Sequence, residues 1–190
     1  MKDQELQDLL ISWISLSAAF AFVFSSRDLN VTGFSNALAI AALAVGTGFL
    51  LHELSHKYVA IHFGAKAEYR AWSTGLIFAV VVAFLARFIF AAPGAVYIYG
   101  KNVSVRENGI ISLAGPFANV VIGIVALIIA GLSGNQTIVQ VASVVGSTNL
   151  YLALFNLLPI FILDGAKVFA WNKLVWGLFF IPLALVLFVL

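Results

Sequence analysis

Residues 49–60 read FLLHELSHKYVA, and their composition conflicts with their setting. Two histidines and a glutamate interrupt an apolar run, 36–61, that is long enough to cross a bilayer. Ionisable side chains at that depth are costly and usually have a partner or a task. His52, Glu53 and His56 form H-E-x-x-H. On a helix, positions i and i+4 share a face, so both imidazoles can reach one metal ion. Glu53 is not needed as a ligand and is left to take the proton of an attacking water. At 1.5 Å per residue, His52 lies ~24 Å from the helix start at Asn36 and ~14 Å from its end near Ile61. The ion is therefore expected inside the membrane, nearer one face.

The rest of the chain supports a lipid setting. The 190 residues are 63% hydrophobic and 9% charged, with a mean hydropathy of +1.08. Soluble domains carry roughly a quarter charged residues. A formal charge of +2, dispersed along the chain, argues against a nucleic-acid partner. Without cysteine, disulfides and thiolate metal sites are excluded. The start, MKDQELQDLL, has three acids and no small-residue cleavage site after the first apolar run, so it does not read as a removable signal peptide.

Further apolar runs predict helices near 9–24, 110–132, 136–158 and 174–190. The stretch 74–92 is short for a span. The arms around Pro93–Gly94 predict a β-hairpin near 87–100. Charge placement favours a segment 74–100 that dips in and returns. Lys2, Lys57, Lys66, Arg70, Lys101, Arg106, Lys167 and Lys173 then share one face. Arg27, beside Asp28, lies on the other, and Arg87 stays within the dip. The crowded face is cytoplasmic by the positive-inside rule. The expected architecture is an all-α polytopic bundle of about six transmembrane segments with a re-entrant β-hairpin element. It forms one domain, 1–190, with a core at 36–170 and flanking helices 9–24 and 174–190.

Two histidines leave a zinc site short of the usual three protein ligands and open position. His62 falls on another helical face and reads as interfacial. Asp3, Glu5 and Asp8 lie in the N-terminal tail, Asp28 in a loop, and Glu68 and Glu107 in polar connectors. Asp164, in FNLLPIFILDGAK (155–167), is the acid with apolar surroundings and the expected third ligand. Pro159 cannot continue a helix, and Gly165 tolerates unusual dihedrals, so the chain should unwind after Leu158 and aim Asp164 at the histidines. Asn156 has two readings: polarising a peptide carbonyl or steadying its oxyanion, or capping backbone groups freed by Pro159. Gly115, Pro116 and Asn119 are expected to start a helix that approaches its neighbour closely, with Asn119 in an interhelical bond. Gly123 and Gly131 read as packing positions. Arg87 is expected to snorkel, and Trp13, Trp72, Trp171 and Trp176 to anchor at interfaces.

HELSH in a membrane helix, followed about a hundred residues later by NLLPIFILDG, resembles the site-2 protease family of intramembrane zinc metalloproteases. The segment AGPFANV (114–120) is similar to the family's small-residue and asparagine-containing segment, and the likeness covers roughly 36–170. It implies one Zn2+ held by His52, His56 and Asp164, Glu53 as general base, and Asn156 assisting the substrate or oxyanion. The implied partners are the lipid bilayer and a transmembrane protein substrate, a single-pass helix cut in the cell membrane. The family often has a second glycine where Ala166 stands, and many bacterial members carry a PDZ-type insertion that has no counterpart here. A competing reading is a membrane metal-ion or proton transporter. Transporters often show internal repeats and polar residues spread along a path; here the ionisable groups gather at one level.

Overall fold

The computed structural model describes residues 3–25, 31–87, 89, 93–160 and 162–188. Helix α1 (Asp3–Phe24) leads to α2 (Val31–Val45), which passes through one π-helical turn (Gly46–Leu50) into α3 (Leu51–His62). Strand β1 (Lys66–Ala71), α4 (Ser73–Ala86) and β2 (Gly94–Tyr99) follow. The chain closes with α5 (Val105–Leu132), α6 (Gln136–Asn156), α7 (Asp164–Trp171) and α8 (Lys173–Phe188).

Among the described residues, four helices are long and apolar enough to cross a membrane: Asp3–Phe24, Gly33–His62, Val105–Leu132 and Gln136–Asn156. Among the described residues Ser73–Ala86 and Lys173–Leu187 are apolar but shorter, and the expected count of about six spans is not confirmed. Helix α5 starts earlier than expected because Ser104 and Glu107 form a reciprocal capping box. Gly115 and Pro116 therefore lie inside α5 rather than at its start.

The excursion between the strands differs from a hairpin. Strand β2 pairs antiparallel with β1, Lys66 opposite Tyr99 and Ala71 opposite Gly94, so Pro93–Gly94 is not the turn. Trp72 N–H donates to Pro93 O at 2.8 Å. The segment 72–93 thus ends beside its own beginning, which a net crossing cannot do. The expected first arm falls partly on 88 and 90–92, outside the described residues. After α4, Arg87 in a left-handed conformation donates to Ser25 O at 2.9 Å and lies over the Phe22 ring. It therefore reaches the level of the end of α1.

The N-terminal acids are not a tail. Glu5 is 1% exposed and accepts from Lys57 Nζ at 2.6 and 2.7 Å and from Tyr69 N–H at 3.1 Å. Asp8 faces Arg70 at 3.5 Å, and Ser12 Oγ meets Tyr69 OH at 2.9 Å. Burial pushes the Tyr69 phenol well above its ordinary range. One polar face of α1 is thereby fixed against β1 and α3, while Leu9, Leu16 and Phe20 on the same helix enter the main core.

The tryptophans are packed more than expected. Trp13 Nε1 donates to Ala42 O, Trp176 Nε1 to Leu157 O, and Trp171 covers Gly109; Trp72 is exposed. Gly123 packs against Leu150 and the Gly146 backbone, whereas a side chain at Gly131 would meet open space.

Candidate metal centre

Helix α3 brings His52 and His56 onto one face, and α7 brings Asp164 to meet them at its first residue. The arrangement depends on the end of α6. That helix stops at Asn156, two residues before the expected point, because Pro159 lacks the N–H that would bond Phe155 O. Phe155 O instead accepts from Leu158 N–H at 3.2 Å, and Trp176 caps Leu157 O at 2.7 Å. Gly165 has no left-handed φ; it is needed for space, since a Cβ there would stand 2.6 Å from Leu158 O and closer to Leu157 O. The backbone of α7 thus seats directly on the end of α6, and this fixes Asp164.

His52 Nε2 and His56 Nε2 lie 2.9 Å apart, and Asp164 Oδ2 is 3.2 Å from the first and 3.0 Å from the second. All three residues are buried. Their protonation follows from their outer contacts. His56 Nδ1 faces Ile111 O at 2.7 Å, and a carbonyl only accepts, so Nδ1 carries the hydrogen. His52 Nδ1 bonds Asn119 Oδ1. That amide is oriented by its Nδ2, which donates to Gly48 O at 2.8 Å. In each neutral ring, Nε2 therefore presents a lone pair.

With both rings neutral, two lone pairs and a carboxylate oxygen converge with no hydrogen between them. Acceptors so close repel unless a cation joins them. Ligands held at about 2.0–2.1 Å in tetrahedral geometry stand roughly 3.3 Å apart, near the observed separations. Nitrogen and oxygen donors without sulfur suit zinc. The residues fit a metal ion, and among the described residues this is the cluster able to hold one. His62 stands apart, exposed at the end of α3 and edge-on to Phe63.

No family model and no solved structure matches the chain. A protein of Methanocaldococcus jannaschii, named "Putative zinc metalloprotease", is 40% identical over 181 residues, which cover 95% of this chain and 91% of that protein. This chain belongs to that zinc metalloprotease family. Membership and the His–His–Asp cluster agree on metal-dependent peptide hydrolysis as the class of chemistry.

The cluster opens on a cavity of about 670 Å³. Glu53, 8% exposed, lines it beside the imidazoles. Asn156 lines it too, with its Nδ2 bonded to Leu152 O at 3.0 Å. That bond is to a carbonyl within its own helix and not to one freed by Pro159, and the second amide hydrogen remains for the cavity. Residues 94–98 of β2 form another wall. Sequence reasoning missed two features. Lys167 Nζ lies in the cavity wall 3.6 Å from Asp164 Oδ1; its i+3 spacing on α7 was the available signal. Asn119 is bound to His52 itself, so its interhelical bond also orients the metal centre.

Proposed function

We propose that the chain is an intramembrane zinc-dependent endopeptidase of the site-2 protease type, cutting transmembrane segments of membrane proteins. The observation that carries this reading is the convergence of three buried ligand atoms, from α3 and α7, on a helix run long enough to span a bilayer. His52, His56 and Asp164 would hold one zinc ion. When bound, zinc supplies a Lewis acid that polarises a peptide carbonyl and lowers the pKa of water towards ~7. Glu53, in the cavity wall beside His52, receives the proton of the attacking water and returns it to the leaving amine. Asn156 offers an amide hydrogen to the carbonyl oxygen of the substrate.

A helical substrate hides its carbonyls in hydrogen bonds, so the segment to be cut must first be extended. Strand β2 has one edge on β1 and its residues 94–98 line the cavity, which suits an extended chain added as a third strand. Basic residues crowd the end of the bundle near Lys57, Lys66 and Lys101. By the positive-inside rule this supports a cytoplasmic position for that end, and with it a centre nearer the cytoplasm in a multi-pass protein of the cell membrane.

The test uses Glu53→Gln in proteoliposomes with a transmembrane reporter. The variant is expected to keep its zinc and lose cleavage by at least ~10²-fold. Wild-type protein that conducts cations without cutting the reporter would overturn the reading in favour of a transporter.

A further inference from the structure

Behind the metal centre a chain of polar side chains runs through the apolar interior. Asn119 on α5 and Asn149 on α6 are both 0% exposed. Asn119 Nδ2 donates to Gly48 O and, at 3.0 Å, to Asn149 Oδ1. Asn149 Nδ2 in turn donates to Val145 O at 2.9 Å and to Thr47 Oγ1 at 3.2 Å. Thr47 Oγ1 donates to Leu43 O or Ala44 O, each at 3.0 Å. Two main-chain carbonyls, Gly48 O and Val145 O, can only accept, so neither amide can turn over. Donation then runs one way along the whole chain, from the hydrogen on His52 Nδ1 through Asn119 and Asn149 to Thr47 and on to a main-chain carbonyl of α2.

We infer that Asn149 and Thr47 are positioning residues for the metal centre, acting on His52 through Asn119. This inference rests on the zinc reading above. Asn149 holds Asn119 from the side opposite His52. With Asn149 in place, Asn119 Oδ1 stays aimed at the imidazole, and His52 keeps the tautomer whose Nε2 lone pair faces the cluster. Partners of metal-binding histidines commonly change metal affinity 10–100-fold when removed. The π-helical turn belongs to the same device. It contains Thr47 and Gly48, and a Cβ at Gly48 would stand 3.6 Å from Asn119 Nδ2 and 2.7 Å from Leu152 Cδ1. The turn presents the carbonyl that Asn119 grips and the hydroxyl that Asn149 grips, just ahead of His52.

The test is zinc affinity by chelator competition, with melting temperature of the zinc-free and zinc-loaded forms, on full-length protein in detergent. Asn149→Leu is expected to weaken zinc about 10-fold and to shrink the zinc-induced rise in melting temperature. Thr47→Val, which keeps the side-chain shape, should weaken zinc about 3-fold in the same direction. A role in packing alone would lower both melting temperatures together and leave zinc affinity of the folded protein at the wild-type value; that result would overturn the inference. If Asn149→Leu does not fold, Thr47→Val decides it alone. Wild-type protein that binds no zinc, with His56→Ala behaving identically, would remove the metal reading itself and the inference with it.

Discussion

Gly115 on α5 lies directly against the imidazole of His52: a Cβ at this position would stand 2.6 Å from Nε2, and closer still to Nε2 of His56. Helix α5 therefore forms the floor under both metal-facing nitrogens, and the absence of a side chain at 115 lets it come so near. Contacts under 3 Å cannot be relieved by rotating a ring whose other nitrogen is already bonded, to Asn119 for one and Ile111 for the other. Gly115→Ala should push the imidazoles off their shared focus. The expected outcome is zinc affinity at least ~10-fold weaker with helical content preserved, read by chelator competition and circular dichroism. Zinc binding equal to wild type would show that the rings have room that the geometry denies them.

Asp164 tests the cluster from its other side. Its Oδ2 faces both imidazoles, and α7 seats on the end of α6 whatever the side chain at 164. Removing the carboxylate should leave the fold and cost the metal. Asp164→Ala is expected to emerge from dialysis without zinc, while wild type retains about one ion per chain. Elemental analysis of the two purified proteins is sufficient. Stoichiometric zinc in the variant would exclude this carboxylate as a ligand.

The metal cluster was readable from the sequence because its chemistry is scarce there. Histidine is rare in this chain, and H-E-x-x-H names a helical face without any need for the fold. The distant partner was readable because Pro159 and Gly165 announce an interrupted helix around one acid. What could not be read depended on pairing across long separations. Strand β1, KAEYRA, carries charge at alternate positions instead of β-branched residues, so its partnership with 94–99 left no local trace, and Pro93–Gly94 was assigned a turn it does not make. Glu5 was placed in a tail for a related reason. Its burial exists only once Lys57 and Tyr69 arrive from elsewhere. Asn149 lacked any motif at all, since its meaning comes from Asn119 and Thr47 on other helices.

The Glu5–Lys57 pair makes a stability prediction separate from catalysis. Both ends are buried, the carboxylate at 1% exposure and the lysine at 9%. Breaking a buried pair from one side leaves an uncompensated charge and costs about 3–5 kcal/mol, whereas removing both is far milder. Glu5→Gln keeps an oxygen for Tyr69 N–H but strands Lys57. The single variant should melt well below wild type, and Glu5→Gln with Lys57→Met should recover most of the loss. Equal melting of single and double variants would mean that the pair contributes through shape alone.

Lys167 offers the sharpest separation of metal binding from turnover. Its ammonium sits 3.6 Å from Asp164 Oδ1, the carboxylate oxygen turned away from the imidazoles, and its side chain is 41% exposed at the cavity. So exposed a pair adds little to stability, ~1 kcal/mol at most. Its position, however, gives the cavity a cation beside the metal centre, and by engaging Oδ1 it leaves Oδ2 as the single oxygen facing His52 and His56. Lys167→Met is therefore expected to keep the melting temperature within a degree or two, since ~1 kcal/mol is the ceiling of the lost contact. Zinc affinity should fall only a few-fold, because both imidazoles and Oδ2 remain. Cleavage of a transmembrane reporter should fall about 10-fold, mainly in kcat, as expected for lost charge stabilisation during the reaction. Lys167→Arg, which preserves the charge, should restore most of it. A loss confined to KM would assign the side chain to substrate binding, and no loss in either parameter would confine it to the surface of α7.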